Sequence, residues 1–322
     1  MYGKKIEKRY IMFLFGNITW QSAIMWFIVL GILMLVNEAA RRNKYFSLFF
    51  CIALPIFLTI FVWPKTAGAD SSTGTWFHWV KVYSALAGCL MFMGIRYIKG
   101  WKDNKYLLML PAIILAVNIM EAVIRDFECF SYQTPGIVDG VWMLGGPWNI
   151  MNGIAGILNI LTISGWMGIF VGKDKNKDML WPDQLWFWVI AYDLWNFAYV
   201  YNCVSDHSFY AGAALLLSCT IPLIISKRGA WIQHRAYTLA AWMMFTMTFP
   251  SFVDTSRFAV QSSHNTTALF VVSFIALIAN IIVFVYHFYK IFKYKRNPFK
   301  VEVHSDIKAY QKVIEESKSA VA

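Results

Sequence analysis

The residues with chemistry to offer are few, and they sit inside long apolar stretches. His78, Lys81 and Ser84 follow one another at three-residue steps, which puts them on one face of a helix. Asn118, Glu121 and Arg125 run at i, i+3, i+7, and Asn149, Asn152, Gly156 and Asn159 at i, i+3, i+7, i+10. Asp193 stands four or more residues from any other charge in its stretch, among Tyr192, Asn196 and Tyr199. An ionisable side chain in hydrocarbon costs about 2.5–3.5 kcal/mol on insertion scales unless it is paired or wet, so each marks a candidate site. A carboxylate such as Asp193 can neutralise a ligand cation or carry a coupling proton. Glu121 and Lys81 can form a coupling pair, and the asparagines offer neutral contacts. His78, Glu121 and Asp193 are also the types a general acid or base requires.

Plainer readings stand beside these. Asparagines in membrane helices often bond neighbouring helices, at about 0.6 kcal/mol apiece. Glu121 and Arg125 are i, i+4 and can neutralise each other, and Lys81 can reach outward or pair with Glu121 or Asp193. Asp193 is the hardest of them to explain by structure alone.

The elements that must position these groups follow from composition. Of 322 residues, 58% are hydrophobic and 15% charged, against about 25% charged in soluble domains. Apolar runs long enough to span ~30 Å of hydrocarbon recur from Trp20 to Phe292, without the alternation of a barrel strand. Backbone groups in lipid must be satisfied within the segment, so the expected fold is all-α, a polytopic transmembrane helix bundle of about nine spans. The runs are 20–39, 45–63, 76–98, 106–124, 148–171, 184–203, 208–226, 233–250 and 267–292. Residues 1–19 read as an extension or interfacial segment, 20–292 as the bundle and 293–322 as a cytoplasmic tail with a surface helix.

Charge orients the spans. The connections around Arg41 to Lys44, Arg96 to Lys105, Lys173 to Lys177 and Lys227 to Arg235 hold thirteen basic residues, and the alternate ones hold three, Lys65, Arg125 and Arg257. The positive-inside bias puts the first set, and the carboxyl terminus, in the cytoplasm. Lys4, Lys5, Lys8 and Arg9 conflict with an outward amino terminus, which a start at Met12 would resolve. The net charge of +11 answers anionic lipid headgroups and needs no nucleic acid. Trp20, Trp63, Trp76, Trp148, Trp181 and Trp231 read as interfacial anchors, as does the run from Trp231 to Arg235. The five cysteines show no metal spacing, so neither cofactor nor metal is expected; Cys129 and Cys203 fall near one face and can approach as a disulfide. The loop Arg125 to Pro147 is too rich in glycine and proline for a continuous helix and suits a folded cap, a re-entrant dip or a solvated loop.

At ~1.5 Å per residue, Asp193 and Asn159 fall near mid-bilayer and Lys81, Glu121, Asn152 and Asn196 in the outer half. The expectation is a polar cavity in the outer half of spans three to six, walled by Tyr83, Trp142, Tyr192, Trp195 and Tyr199. Asp70, Asp126, Glu128, Asp139, Asp206 and Asp254 make its mouth mildly negative and favour cations.

The segments Phe61 to Thr66, Thr75 to Ser84, Gly145 to Gly153 and Tyr192 to Asn202 resemble an uncharacterised family of bacterial multi-pass membrane proteins, a domain of unknown function. The resemblance runs from about Met12 through nearly the whole chain. It implies a multi-pass protein of the inner (plasma) membrane and carries no activity. The leading expectation is a transporter or solute-binding protein taking a small polar, cationic or zwitterionic ligand from the outer face. An enzyme acting on a lipid or amphiphile is second, weakened because no nucleophile elbow, HExxH or phosphate cradle is present. A non-catalytic sensor or assembly subunit is third. The oligomeric state is open.

Overall fold

The computed structural model of the chain describes residues 13–68, 71–138 and 140–319. Lys4, Lys5, Lys8, Arg9, Met12, Asp70 and Asp139 lie outside them. The fold is all-α apart from two short hairpins. The helices are α1 (Trp20–Arg42), α2 (Lys44–Thr66), α3 (Trp76–Tyr97), α4 (Lys105–Phe130), α5 (Pro147–Leu161), α6 (Trp186–Cys203), α7 (Phe209–Ile225), α8 (Trp231–Thr248), the single turn α9 (Ser251–Asp254), α10 (Thr266–Tyr294) and α11 (Lys308–Ser319). Five of them, α1 to α4 and α10, are long and apolar enough to cross a membrane. Prolines inside α2, α4 and α7 are accommodated, in α2 by π-helical turns that take up the missing backbone donor.

Hydrogen bonds tie the helix ends into two groups. At the basic end, Arg41 of α1 meets Asp178, Arg96 of α3 meets the Asn176 carbonyl, and Gln233 of α8 meets Asp178. The stretch after α10 joins the same end, because the Val303 and His304 amides bond Asp183. At the opposite end, His207 and Ser72 meet Asp254, His264 meets Asp206, and Phe15 bridges Ser262. The segments expected on one side from their charge are thus gathered at one end.

The expected span 148–171 is shorter than its apolar run. α5 stops at Leu161, where Thr162 Oγ1 turns back to the Leu158 and Asn159 carbonyls. Gly165 then takes φ +66°, and a Cβ there would lie 2.3 Å from the Asp183 Cβ, so the chain turns under the bundle. The loop expected from Arg125 is helical to Phe130 and becomes a hairpin, Gly136–Val138 against Val141–Met143. Trp142 of that hairpin stacks on His264 at 3.9 Å, forming a cap.

Of the tryptophans expected at the interface, Trp20 and Trp76 are exposed, whereas Trp63, Trp148, Trp181 and Trp231 are buried. Their indoles serve internal hydrogen bonds instead, Trp181 Nε1 to the Ser164 carbonyl and Trp231 Nε1 to Thr220. All five cysteines are free and buried; no disulfide joins Cys129 to Cys203.

The docked stretch after α10 yields a pH prediction. His304 Nε2 lies 3.2 Å from His287 Nδ1, with the ring stacked on Tyr286 and Lys290, Arg296, Asp306 and Asp183 around it. Burial, with the nearby Lys290 charge, lowers the His304 pKa from near 6.5 to about 4. Docking therefore keeps the ring neutral, and its stability is whole above about 6.5 and declines as pH falls towards 4, by on the order of 2–3 kcal/mol. Protection factors of the amides in residues 297–307, which remove the intrinsic pH dependence of exchange, should fall between pH 7.5 and 5 in the native protein and lose that dependence in His304→Phe. Equal pH dependence in both proteins would refute the assignment.

Candidate functional site

Between α3, α4, α6, α7 and α8 lies a cavity of about 60 Å³, room for a few waters at ~10–15 Å³ each. α3 contributes Phe77, His78 and Lys81, α4 Asn118, α6 Tyr192, Asn196 and Tyr199, and α8 Arg235 up to Thr246. His207 closes the end near Asp254. From Arg235 to Thr246 the cavity follows α8 for about 16 Å at ~1.5 Å per residue. Its remaining wall is apolar, with Leu215, Leu239, Trp242 and Met243.

Within this space two cations stand in different conditions. Lys81 uses its three donors on Glu121 Oε2 at 2.8 Å, the Asn118 carbonyl at 2.9 Å and Asn118 Oδ1 at 3.1 Å. It is saturated. Arg235 is 5% exposed and donates from Nε to the Tyr192 hydroxyl and from Nη2 to Asn196 Oδ1, both at 3.3 Å. Among the described residues its Nη1 has no partner and the guanidinium forms no ion pair with a carboxylate. The Tyr199 hydroxyl is likewise buried and unpartnered. His78 bonds Thr75 Oγ1 through Nδ1 at 2.7 Å and faces His207 at 5.9 Å between ring centres.

Asp193 is not among the lining residues. Its Oδ2 accepts from Thr220 Oγ1 of α7 at 2.7 Å, and its Oδ1 is unpartnered. It acts on Arg235 through the longer-range field alone. The α5 asparagines form a second cluster. Asn149 and Asn152 donate to Asp126 at 3.4 and 2.7 Å, Cys203 Sγ adds a third donor at 3.3 Å, and Asp126 is fully buried. Asn159 bonds only its own helix, at the Ala155 carbonyl. Arg125 pairs with Glu128 at 2.7 Å and leaves Glu121 to Lys81. The structure thus brings His78, Lys81, Tyr192, Asn196 and Tyr199 together at one cavity, with Glu121 held at its edge by Lys81, and holds Asp193, Asn149, Asn152, Asn159 and Arg125 elsewhere.

α5 stands outside because it packs along α4 and α10. Gly156 permits this: a Cβ there would lie 2.5 Å from Val123 and 2.8 Å from Trp195 Nε1, which bonds the Asn152 carbonyl. Of the expected wall aromatics, Tyr83 bonds Thr59 of α2, Trp142 lies in the cap and Trp195 faces α5.

Sequence reading misses Arg235 because its charge is spent on orientation together with Lys227 and Arg228. The available signal is the polar run Gln233-His234-Arg235 opening an apolar helix; all three are buried. Asp126, expected among the mouth acids, is instead enclosed, and its i+23 and i+26 partners lie beyond any local pattern.

Residues 16–316 match a family of unknown function, DUF5692. The chain belongs to that family. The match covers every helix from α1 to α10 and the residues of both clusters. Comparison with curated proteins and with solved structures finds no match. Among the described residues no group of three or more His, Cys, Asp or Glu is placed to hold a metal ion.

Proposed function

We propose that this is a multi-pass membrane protein that binds, for transport or for sensing by occupancy, a small solute bearing a carboxylate or similar acidic group, zwitterions included. α1 to α8 and α10 are its nine spans, the basic end is cytoplasmic, and the cavity opens towards the other face. The observation that carries the reading is the free Nη1 of Arg235. A buried guanidinium with no carboxylate in contact is costly, and a planar acid offers it paired bonds in a fixed geometry. Tyr199 supplies a second free hydroxyl, and the apolar wall limits the occupant to a few heavy atoms.

A cationic occupant is the weaker choice. Of the described mouth acids expected to attract one, Asp206 is engaged with His264, Asp254 with His207 and Ser72, Glu128 with Arg125, and Asp126 within its own cluster, while Asp193 stands off the cavity wall and bonds Thr220. Nor does the cavity present a nucleophile beside a base, which leaves the enzyme reading without geometry.

The test is a thermal-unfolding screen of the purified protein against small carboxylic acids, amino acids and amines. At a hundred times Kd a ligand adds about 2.7 kcal/mol to stability. Acids or zwitterions should stabilise the native protein and lose the effect in Arg235→Gln. Asp193→Asn should retain or tighten that binding, since it removes an opposing charge. Stabilisation by amines that Asp193→Asn abolishes and Arg235→Gln spares would overturn the proposal.

A further inference from the structure

A second cavity, of about 30 Å³, adjoins the first. Its own walls are Ser84, Gly88 and Phe92 of α3, Pro111 of α4, and Ile232 and Ala236 of α8. Four residues line both cavities: Asn118, Tyr192, Arg235 and Leu239. One layer of side chains therefore separates them. The second cavity lies on the basic side of that layer, since Ile232 is in the first turn of α8 and Phe92 is within five residues of the end of α3. The first runs the other way, to Thr246 and His207.

We infer that the two cavities are successive chambers of one passage through the bundle, and that Arg235 is the movable part of the partition between them, which Tyr192 and the Lys81-bound Asn118 complete. This rests on the proposed solute site and chooses transport over sensing within it. Three features of the partition favour movement. Arg235 holds Tyr192 and Asn196 by 3.3 Å bonds and is locked by no ion pair, so its side chain can turn without breaking a charged contact. The chamber beyond holds no ionisable residue except Arg235 and the Tyr192 phenol of the partition itself, so an acid delivered there has no other cation to retain it. That chamber is also hollow for want of side chains: a Cβ on Gly88 would meet only Ala236 and Ile114, at 3.6 and 3.9 Å.

Past the second chamber the passage is shut by polar contacts. Arg96 bonds the Ala40, Arg41 and Asn176 carbonyls and the Tyr237 hydroxyl, while Asp178 joins Arg41 to Gln233. The structure is thus the state closed on the basic side.

Cysteine accessibility tests the partition whatever the identity of the solute. In a background with the five native cysteines replaced, Thr246→Cys marks the first chamber and Ala236→Cys the second. The full chain, in sealed vesicles of known orientation, is treated from either face with impermeant methanethiosulfonates, one carrying a sulfonate and one a quaternary ammonium. Thr246→Cys should react only from the face opposite the basic end, and at least tenfold faster with the sulfonate. Ala236→Cys should resist reagent from that face until Arg235→Ala is added, and then react at least tenfold faster from it. Asn118→Ala provides a second opening of the partition if Arg235→Ala does not fold. Ala236→Cys reacting freely from the Thr246 side with Arg235 in place, or staying inert in both opened variants, would overturn the partition. An equal rate for the two reagents at Thr246→Cys would instead overturn the acidic-solute reading and leave the partition standing.

Discussion

Glu121→Ala destabilises the protein by about 3–5 kcal/mol, and the paired replacement of Lys81 by Met with Glu121 by Leu recovers most of that loss. The reason is the environment of the pair. Both side chains are 10% exposed, and Lys81 Nζ lies 2.8 Å from Glu121 Oε2. Removing the carboxylate alone leaves an ammonium facing Asn118 oxygens and the Phe77 ring beside a cavity that holds only a few waters, too little to replace an opposite charge. Removing both restores an apolar interior of similar volume, which costs little because desolvation had offset most of the attraction. Reversible unfolding in mixed micelles measures both variants. Two single losses that simply add in the double variant would show that the pair is wet and uncoupled.

Asp178→Ala opens the basic end, with an expected loss of about 3 kcal/mol and faster hydrogen exchange through residues 172–180. Asp178 is fully buried and accepts from Arg41 Nε and Nη2 at 3.1 and 2.7 Å and from Gln233 Nε2 at 2.8 Å, so one side chain ties α1, α8 and the connection before α6. Burial works against its charge, yet the paired Arg41 and the Gln233 bond outweigh it and hold the pKa below the ordinary 3.8. A carboxyl lowered by folding adds stability above its unfolded value, and that stability is lost only as pH falls through the lowered one. The seal is therefore constant from pH 8 to 5, in contrast to His304, whose docking weakens across part of that range. Protection factors in residues 172–180 that fall between pH 7 and 5 in the native protein would contradict this account of Asp178.

The two clusters show how far sequence carries a site. The i, i+3 spacing of His78 and Lys81 puts both on one cavity, because a single helix turns its own residues by fixed angles. It cannot say that Asn149 and Asn152, patterned just as well, face Asp126. That depends on where α5 packs, which Gly156 settles through a contact with Val123 and Trp195 on other helices. Arg235 escapes for the same reason: a charge count records on which end of a span a residue lies, and is silent about whether it turns inward. The cavity consequently takes its fourth and fifth walls from α7 and α8, which lie beyond the four consecutive spans that carry the spaced polar residues.

Run length and charge alone define the set of apolar helices and the grouping of their basic ends. An apolar surrounding makes each segment satisfy its own backbone and keeps charges in it few, so length and composition suffice. Which helix faces which follows from packing between them. In segments apolar on nearly every side no stripe marks the buried face, and neighbours are chosen by the fit of side chains such as Gly156 against Trp195 and the pairing of groups such as Lys81 with Glu121.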